Sequence, residues 1–349
     1  MEFPLLAPHT RFAWRDDVTL ALEDPASAEA GVRIANASPG LVRWLRRCNG
    51  ATSRADLLQQ APDHGLTRAA AEQLLSDLHS IGLLARTGPR RTAELSQNSD
   101  TGPALRQDLE ALALCGDDPD LVHERRQQYR VVIDGSDRVA HALIEMLAAA
   151  HIGELSLASR HASRRILTLR DIAPFGPTSA DVGTSGVSSM LRHIERRTSP
   201  SEKVARKTVV LLCNAQHDAA EELPLQLAGT PYLRIIASSR FATIGPLTLP
   251  GHSACGTCLG LHRSDHDHLW PRTIAQFDHH RRLPAPIDSP FAFAVASDAA
   301  QRLLRVVDTG DPSQLANTTW HIDRTDARLV RRRWPQHPEC TCHAEAGVA

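Results

Sequence analysis

Two pairs of closely spaced cysteines, far apart in the chain, constrain the fold more than any other feature. Cys255 and Cys258 form a C-x-x-C inside GPLTLPGHSACGTCLGLHRSDHDHLWP, and Cys340 and Cys342 lie in WPQHPECTC near the far end. Either spacing lets two sulfurs converge on one point. The four thiols therefore read as the ligands of one tetrahedral zinc ion that staples the C-terminal tail to the middle of the chain. Two disulfides, or free redox-active thiols, are the alternatives. A redox C-x-x-C usually follows a strand and opens a helix, whereas Pro250, Gly251 and Gly256 suggest a loop around this pair. Four cysteine ligands leave no open coordination position, so the ion would hold shape and perform no chemistry.

A chain of 349 residues is long enough for two domains, each with its own core. The 39 Lys and Arg against 40 Asp and Glu give a net charge of -1, which argues against bulk binding to nucleic acid or anionic membrane. The basic residues are almost all arginine, with Lys203 and Lys207 the only lysines. No apolar run has the length of a membrane span. The opening MEFPLLAPHTRFAWRDD lacks the basic and apolar regions of a signal peptide. Seven cysteines, an odd number, point to a reducing cytoplasm.

Residues 1–86 read as a small separate domain. Arg11–Leu22 and Val32–Ala35 are strand-like. Ser38 is placed to cap a helix with Leu41, Trp44 and Leu45 on one side, before Gly50. Ser53 is placed to cap a short helix with Leu57 and Leu58. Thr67 is placed to cap a third, with Leu74, Leu75, Leu78 and Ile81 at helical spacing before Gly82. Strands followed by three short helices suggest a winged helix. The third helix offers Arg68 beside Glu72 and Asp77, poor material for phosphate contacts, so a partner strand along the sheet edge fits better than DNA. A plain packing domain is the alternative. Residues 87–103, polar and holding two Gly-Pro pairs, read as a linker.

The second domain, 104–349, opens with helical stretches at Ala104–Leu114 and Pro119–Gln128. YRVVIDGSDRVAHALIEMLAAAHIGELSL (Tyr129–Leu157) then reads strand, turn, helix, strand, as in a Rossmann-like α/β fold. Its turn departs from G-x-G-x-x-G/A: Gly135 and Ala140 fit, but Asp137 stands at the second glycine, where a carboxylate repels an anion. The second strand ends Leu157-Ala158-Ser159-Arg160, without the acid that holds a ribose. Arg138 or Arg160 are the candidates to compensate. Arg192, Arg196, Arg197, Lys203, Arg206 and Lys207 make a basic run, read as a solvated face or as phosphate ligands. Cys213 ends the strand TVVLLC and reads as a buried small hydrophobe or, with His217, as a nucleophile. Phe241–Leu249 reads as two strands turning at Gly245-Pro246. The HRSDHDH segment (His262–His268) is a polar helix end or a second metal site. Ser289 and Pro290 open a helix reaching Val307, and Thr318–Asp323 with Ala327–Trp334 form a hairpin.

With these segments quoted, a resemblance can be stated. Residues 129–343 resemble the ThiF-type adenylyltransferases, relatives of ubiquitin-activating enzymes, and look most similar to the actinobacterial branch associated with thiazole/oxazole-modified ribosomal peptides. VVIDGSDRVAHALIEMLAAAHIGEL, DIAPFGPTSADVG, IGPLTLPGHSACGTCLGLHRSDHDHLWP and RRRWPQHPECTC carry it. Residues 1–86 resemble the PqqD-like element that grips leader peptides, through the hydrophobic strand, ASPGLVRWLRRCNG and ADLLQQ. The resemblance implies ATP-dependent adenylation of a carboxylate with magnesium, homodimerisation, and a lysine in V-G-x-x-K that contacts phosphate. Here that motif aligns with Val182–Gly186 and the lysine is Gly186; the aspartate expected after TVVLL is replaced by the CNAQHD run, leaving Asp218.

Three functions are therefore in view. A scaffold would bind a precursor's leader peptide and dock a modifying enzyme, such as a cyclodehydratase partner. An adenylyltransferase would use rewired arginines as phosphate ligands. A DNA-binding regulator is disfavoured by the near-neutral charge.

Overall fold

The computed structural model describes residues 3–7, 10–24, 27–87, 107–109, 111–113, 115, 117–158, 166–174, 176–197, 207–213, 219–277 and 286–343. The chain divides into two compact units, Met1–Glu124 and Arg125–Ala349.

In the first unit, β1 (Phe3–Leu6) pairs antiparallel with β5 (Leu84–Thr87), placing Leu6 opposite Leu84. A separate antiparallel meander runs β2 (Arg11–Trp14), β3 (Leu20–Asp24), β4 (Ser27–Ile34). The continuous strand expected from Arg11 to Leu22 is broken. Asp16 Oδ1 accepts from the N–H groups of Val18 (2.9 Å) and Thr19 (2.6 Å), a local side-chain turn that folds the segment into a hairpin. The three helices are α1 (Pro39–Leu45), α2 (Arg54–Gln60) and α3 (Arg68–Ser80). Ser38, Ser53 and Thr67 cap them as expected, their hydroxyls accepting from Leu41, Asp56 and Ala70 N–H at 3.3, 3.1 and 3.1 Å. Trp44 is completely buried among Leu20, Leu22, Leu57, Leu75 and Leu78, and its indole N–H donates to Leu57 O at 2.8 Å. That bond joins α1 to α2 without leaving a polar atom stranded in the core.

In the second unit, α4 (Pro119–Gln127, entering from the first unit) leads into β6 (Tyr129–Asp134), followed by α5 (Arg138–Ala149) and β7 (Glu154–Leu157). Then come α6 (Gly186–Arg197), β8 (Lys207–Cys213), α7 (Ala219–Leu227), β9 (Tyr232–Ala237), β10 (Phe241–Thr248), α8 (Gly256–His266) and α9 (Trp270–Phe277). α10 (Ser289–Thr309), β11 (Thr318–Asp323) and β12 (Arg328–Arg333) follow. Seven strands form one sheet in the order β12-β11-β10-β9-β8-β6-β7. β7, β6, β8 and β9 are parallel, whereas β9 to β12 run antiparallel. This is a Rossmann-like mixed α/β sheet.

Period-2 alternation distributes β8 between two cores. Val209, Leu211 and Cys213 face the cluster filled by α5 and α10, while Val210 and Leu212 face Leu225 and Tyr232 on the other side. Two local expectations change. Phe241–Thr248 is one strand, with a register shift between Ile244 and Leu247, because β9 and β11 pair with it on both sides. The α10 cap is Asp288, whose Oδ1 accepts from Phe291 N–H at 3.0 Å, one residue before the expected Ser289.

A buried ion pair ties α4 to the end of α10. Arg126 donates through Nε and Nη2 to both oxygens of Asp308, at 2.8 and 2.6 Å, and through Nη1 to Ala150 O at 3.1 Å. Removing one partner strands the other charge out of water. Asp308→Ala is expected to lower unfolding free energy by about 3–5 kcal/mol, read by urea titration; a loss under about 1 kcal/mol would mean that water satisfies Arg126.

Candidate metal centre and switch-point turn

Cys255 is the residue before α8 and Cys258 lies in its first turn, while Cys340 and Cys342 arrive from the tail beyond β12. All four are buried, and their sulfurs lie within 4.8 Å of one another. The separations are 3.9 Å for Cys255–Cys258, 3.7 Å for Cys255–Cys340 and 3.5 Å for Cys258–Cys342. A disulfide needs about 2.05 Å, so the two-disulfide alternative does not hold, and the cysteines are free thiols. Four thiolates at about 2.3 Å from a central ion stand about 3.8 Å apart along the edges of a tetrahedron. The donor set and its spacing therefore fit one tetrahedral metal ion. The loop context expected for Cys255 is corrected: it follows a strand and a turn and opens a helix, yet the second cysteine pair lies close enough to share a ligand.

Without an ion, Cys255 and Cys342 hold their protons. The bond to Cys258 and then burial raise Cys255, while burial and the neighbouring Cys255 push Cys342 up to about 12. Metal binding would displace those protons. The protein supports the cluster from outside. His337 N–H donates to Cys258 Sγ at 3.3 Å, and the His337 ring holds Asp265 through Nε2 at 3.0 Å while accepting from Glu339 N–H at 3.2 Å through Nδ1. At the start of α8, Gly256 N–H donates to Glu222 Oε2 at 2.8 Å, and Glu222 is itself ion-paired with fully buried Arg234. A Cβ on Gly256 would sit 2.2 Å from Arg234 Nη1, so glycine is required there by space. Glu222, Arg234 and His337 had no local sequence signal, since each acts through a partner distant in the chain, whereas Asp265 lies in the HRSDHDH segment.

His262, Asp265 and His337 also gather within 4.8 Å, which bears on the second-metal reading of the HRSDHDH segment. Their polar atoms already have protein partners: His262 Nε2 bonds Pro335 O at 2.9 Å, and His337 is committed as above. His337, accepting through Nδ1, carries its proton on Nε2, where a metal would have to bind.

The other candidate site lies at the carboxyl end of β6. β7 and β8 flank β6 on opposite sides, so the chain reverses direction across the sheet here, the place where open α/β sheets bind ligands. Gly135 has φ +151°, and a Cβ there would come within 2.7 Å of Cys213 Cβ. Asp137 is the N-cap of α5, nearly buried, with Oδ1 accepting from Ala140 N–H at 2.9 Å. Its carboxylate thus occupies the helix terminus that would otherwise receive a phosphate.

Arg138 is a structural tie, donating to Ile287 O at 2.9 Å and Ile172 O at 2.6 Å. Arg192 pairs with Asp181 and Arg197 with Glu145, while Lys207 lies over the Tyr129 ring at 5.9 Å, at the amino end of β8. Gly186 is the first residue of α6. Ser159, Arg160, Lys203, Arg206, His217 and Asp218 lie outside the described residues. Burial, then Asp137 and Asp134, raise the Cys213 thiol well above its ordinary range, which fits the reading as a small buried core residue. Among the described residues, no helix is long and apolar enough to cross a membrane.

No family model and no curated protein matches the chain. Solved structures do. E. coli MccB in complex with AMPCPP and MccA matches with a TM-score of 0.70 at 15% identity, over 98% of this chain and 99% of that one. MccB, described as a microcin C7 biosynthetic enzyme, also matches in complex with N-formylated MccA, at TM-score 0.68 and 14% identity over 98% and 100%. The heterocyclase TruD matches with a TM-score of 0.60 at 15% identity, over 98% of this chain but 43% of its own. At such identities the likeness establishes the fold.

Two outcomes are expected. Native mass spectrometry should find one metal ion per chain, lost in Cys340→Ser; an ion retained by that variant would place the metal elsewhere. Iodoacetamide at neutral pH should leave Cys213 unmodified in folded protein, and rapid labelling would restore the nucleophile reading.

Proposed function

We propose that this chain is a ThiF-like protein with a degenerate nucleotide site, which binds a precursor's leader peptide and docks the enzyme that modifies the peptide. Residues 1–86 would form a winged-helix, PqqD-like recognition domain, followed by the linker 87–103 and the ThiF-like domain 104–349. The ion in the four-cysteine site is zinc, chosen by thiolate softness and tetrahedral spacing, and its role is structural. The reduced thiols suit a cytoplasmic protein.

The observation that carries this reading is Asp137. Its carboxylate caps α5 through Ala140 N–H, so an anion of the protein's own stands where ATP phosphate would bind. Three of the arginines that could compensate, Arg138, Arg192 and Arg197, are engaged with protein oxygens, whereas exposed Arg196 makes no ion pair among the described residues. Without a phosphate cradle, adenylation lacks the electrostatic stabilisation that phosphoryl chemistry needs. The fold likeness to MccB covers both units, and MccB, a microcin C7 biosynthetic enzyme, is solved in complex with N-formylated MccA. The chain spans 43% of TruD, which supports a division in which a separate cyclodehydratase-type partner supplies the heterocycle chemistry. Tethering substrate and enzyme raises their effective concentration without new contacts at the reacting bond.

One observation favours the alternative, an active ATP-dependent adenylyltransferase acting on the carboxylate of a peptide or small protein. MccB, of the same fold, is solved with ATP and with AMPCPP. Calorimetric titration of the metal-loaded protein with magnesium-ATP separates the two. We expect no binding by the native chain and measurable binding by Asp137→Gly, which removes the carboxylate at a cost of a few tenths of a kcal/mol in capping. Micromolar binding by the native chain, with pyrophosphate exchange, would sink the scaffold reading.

A further inference from the structure

β12 ends the described sheet and pairs only with β11. Its sequence, RLVRRR, is exposed at every position but the half-buried Val330. Neighbouring arginines have acids: Arg240 lies 3.7 Å from Asp323, Arg324 lies 2.9 Å from Asp288, and Arg302 lies 2.8 Å from Asp298. Arg328, Arg331, Arg332 and Arg333 make no ion pair among the described residues.

The register puts this charge on both faces of the strand. Arg331 and Arg333 stand opposite Trp320 and Thr318, while Arg328 and Arg332 stand opposite Asp323 and Thr319. On the first face, Arg331 lies 5.5 Å from the Trp320 ring, which Arg302 approaches to 3.7 Å. On the second, Arg332 adds to a basic and aromatic surface where Arg263 lies 5.0 Å from the Trp270 ring and 6.0 Å from that of Trp334. Burial first, then the charge of Arg332 and Arg263, lowers His321, so the positive field reaches into the sheet.

We propose that the β12 edge receives an acidic, extended polypeptide segment of a partner protein, added to the sheet as an outer strand. An edge strand offers a row of backbone donors and acceptors at fixed spacing, and charges along it decide which strands can join. Arginines repel a second copy of the same edge and basic segments, attract acidic ones, and give neutral segments no electrostatic gain. The chain's net charge of -1 provides no broad field for a nucleic acid, whereas backbone spacing along an edge matches another polypeptide. This surface goes beyond the reading above and is independent of the peptide taken by residues 1–86.

The test is fluorescence anisotropy of the full chain with a short labelled peptide rich in Glu and interspersed with Val. Binding should weaken with salt and fall about tenfold in Arg331→Glu/Arg332→Glu, with metal content unchanged. Arg328→Gln/Arg333→Gln serves as a second variant should the first misfold. The same peptide N-methylated at alternate amides keeps its charge and loses its donors, so it should not bind. No binding of the parent peptide at low salt, equal binding of the methylated one, or an unchanged affinity in both variants would overturn strand addition. Tighter binding of single-stranded RNA than of the peptide would replace it with a nucleic-acid surface.

Discussion

Four sulfurs within 4.8 Å of one another bring the start of α8 and the tail beyond β12 to one point, the tightest long-range constraint on the antiparallel half of the second unit. Sulfurs packed at 3.5–3.9 Å gain little from each other, whereas four thiolates around one cation would form a strong link. That link joins the start of α8 to the tail beyond β12. The local chain is built to deliver both ends: Glu222 receives the first N–H of α8, Arg234 neutralises Glu222, and Gly256 leaves the room they occupy. A buried pair of this kind is costly to desolvate, and it persists when each charge is fully bonded. Here the carboxylate meets a guanidinium, a backbone N–H and the Tyr232 hydroxyl.

The parallel half is governed by a different close approach. Pairing β6 directly to β8 brings Gly135 against Cys213, so the turn after β6 accepts no side chain at its first position. From there the chain must enter α5 at once, and Asp137 satisfies the helix terminus from within. A glycine at that position would leave the N–H groups open to an outside anion. The same geometry that makes the switch point a natural ligand site thus allows one side chain to close it. Burial first, then Asp137 and Asp134, raises the Cys213 thiol at the same crevice.

Features written in a few adjacent residues were legible in the sequence. Ser38, Ser53 and Thr67 announce helix starts because a cap needs only its own hydroxyl and an N–H three residues on. β8 announces itself through the apolar run Val209–Cys213, because both of its faces are covered, and β9 reads the same way on either side of its single charged residue, Arg234. The cysteine pairs could be read because metal ligation demands rare residues at short spacings. Misreadings arose where a distant partner decided. The Gly245-Pro246 pair suggests a turn, yet Gly245 lets the β10 backbone pass close to Thr318 O, a contact set by β11. The support of the metal cluster by Glu222 and His337, and the Arg126–Asp308 tie, join residues whose proximity exists only in the folded chain. Arg138 illustrates the limit well. Its position beside a phosphate turn suggested an anion ligand, but its guanidinium is spent on two carbonyls from loops far along the sequence.

The two halves of this unit need not have drifted together. The metal cluster draws on α8 and the tail, and the switch point draws on β6, α5 and β8, with no ligating or capping residue in common. Loss of a thiol would release the tail, a large structural penalty. Loss of the second glycine in the turn carries none, because aspartate at an N-cap stabilises a helix better than glycine does, by a few tenths of a kcal/mol. Selection for folding alone therefore holds the cysteines and permits, even mildly favours, Asp137. Only selection for phosphate binding would keep a glycine there. The four-thiol cluster and the self-capped turn are thus separate constraints within one fold, and a change at either leaves the residues of the other in place.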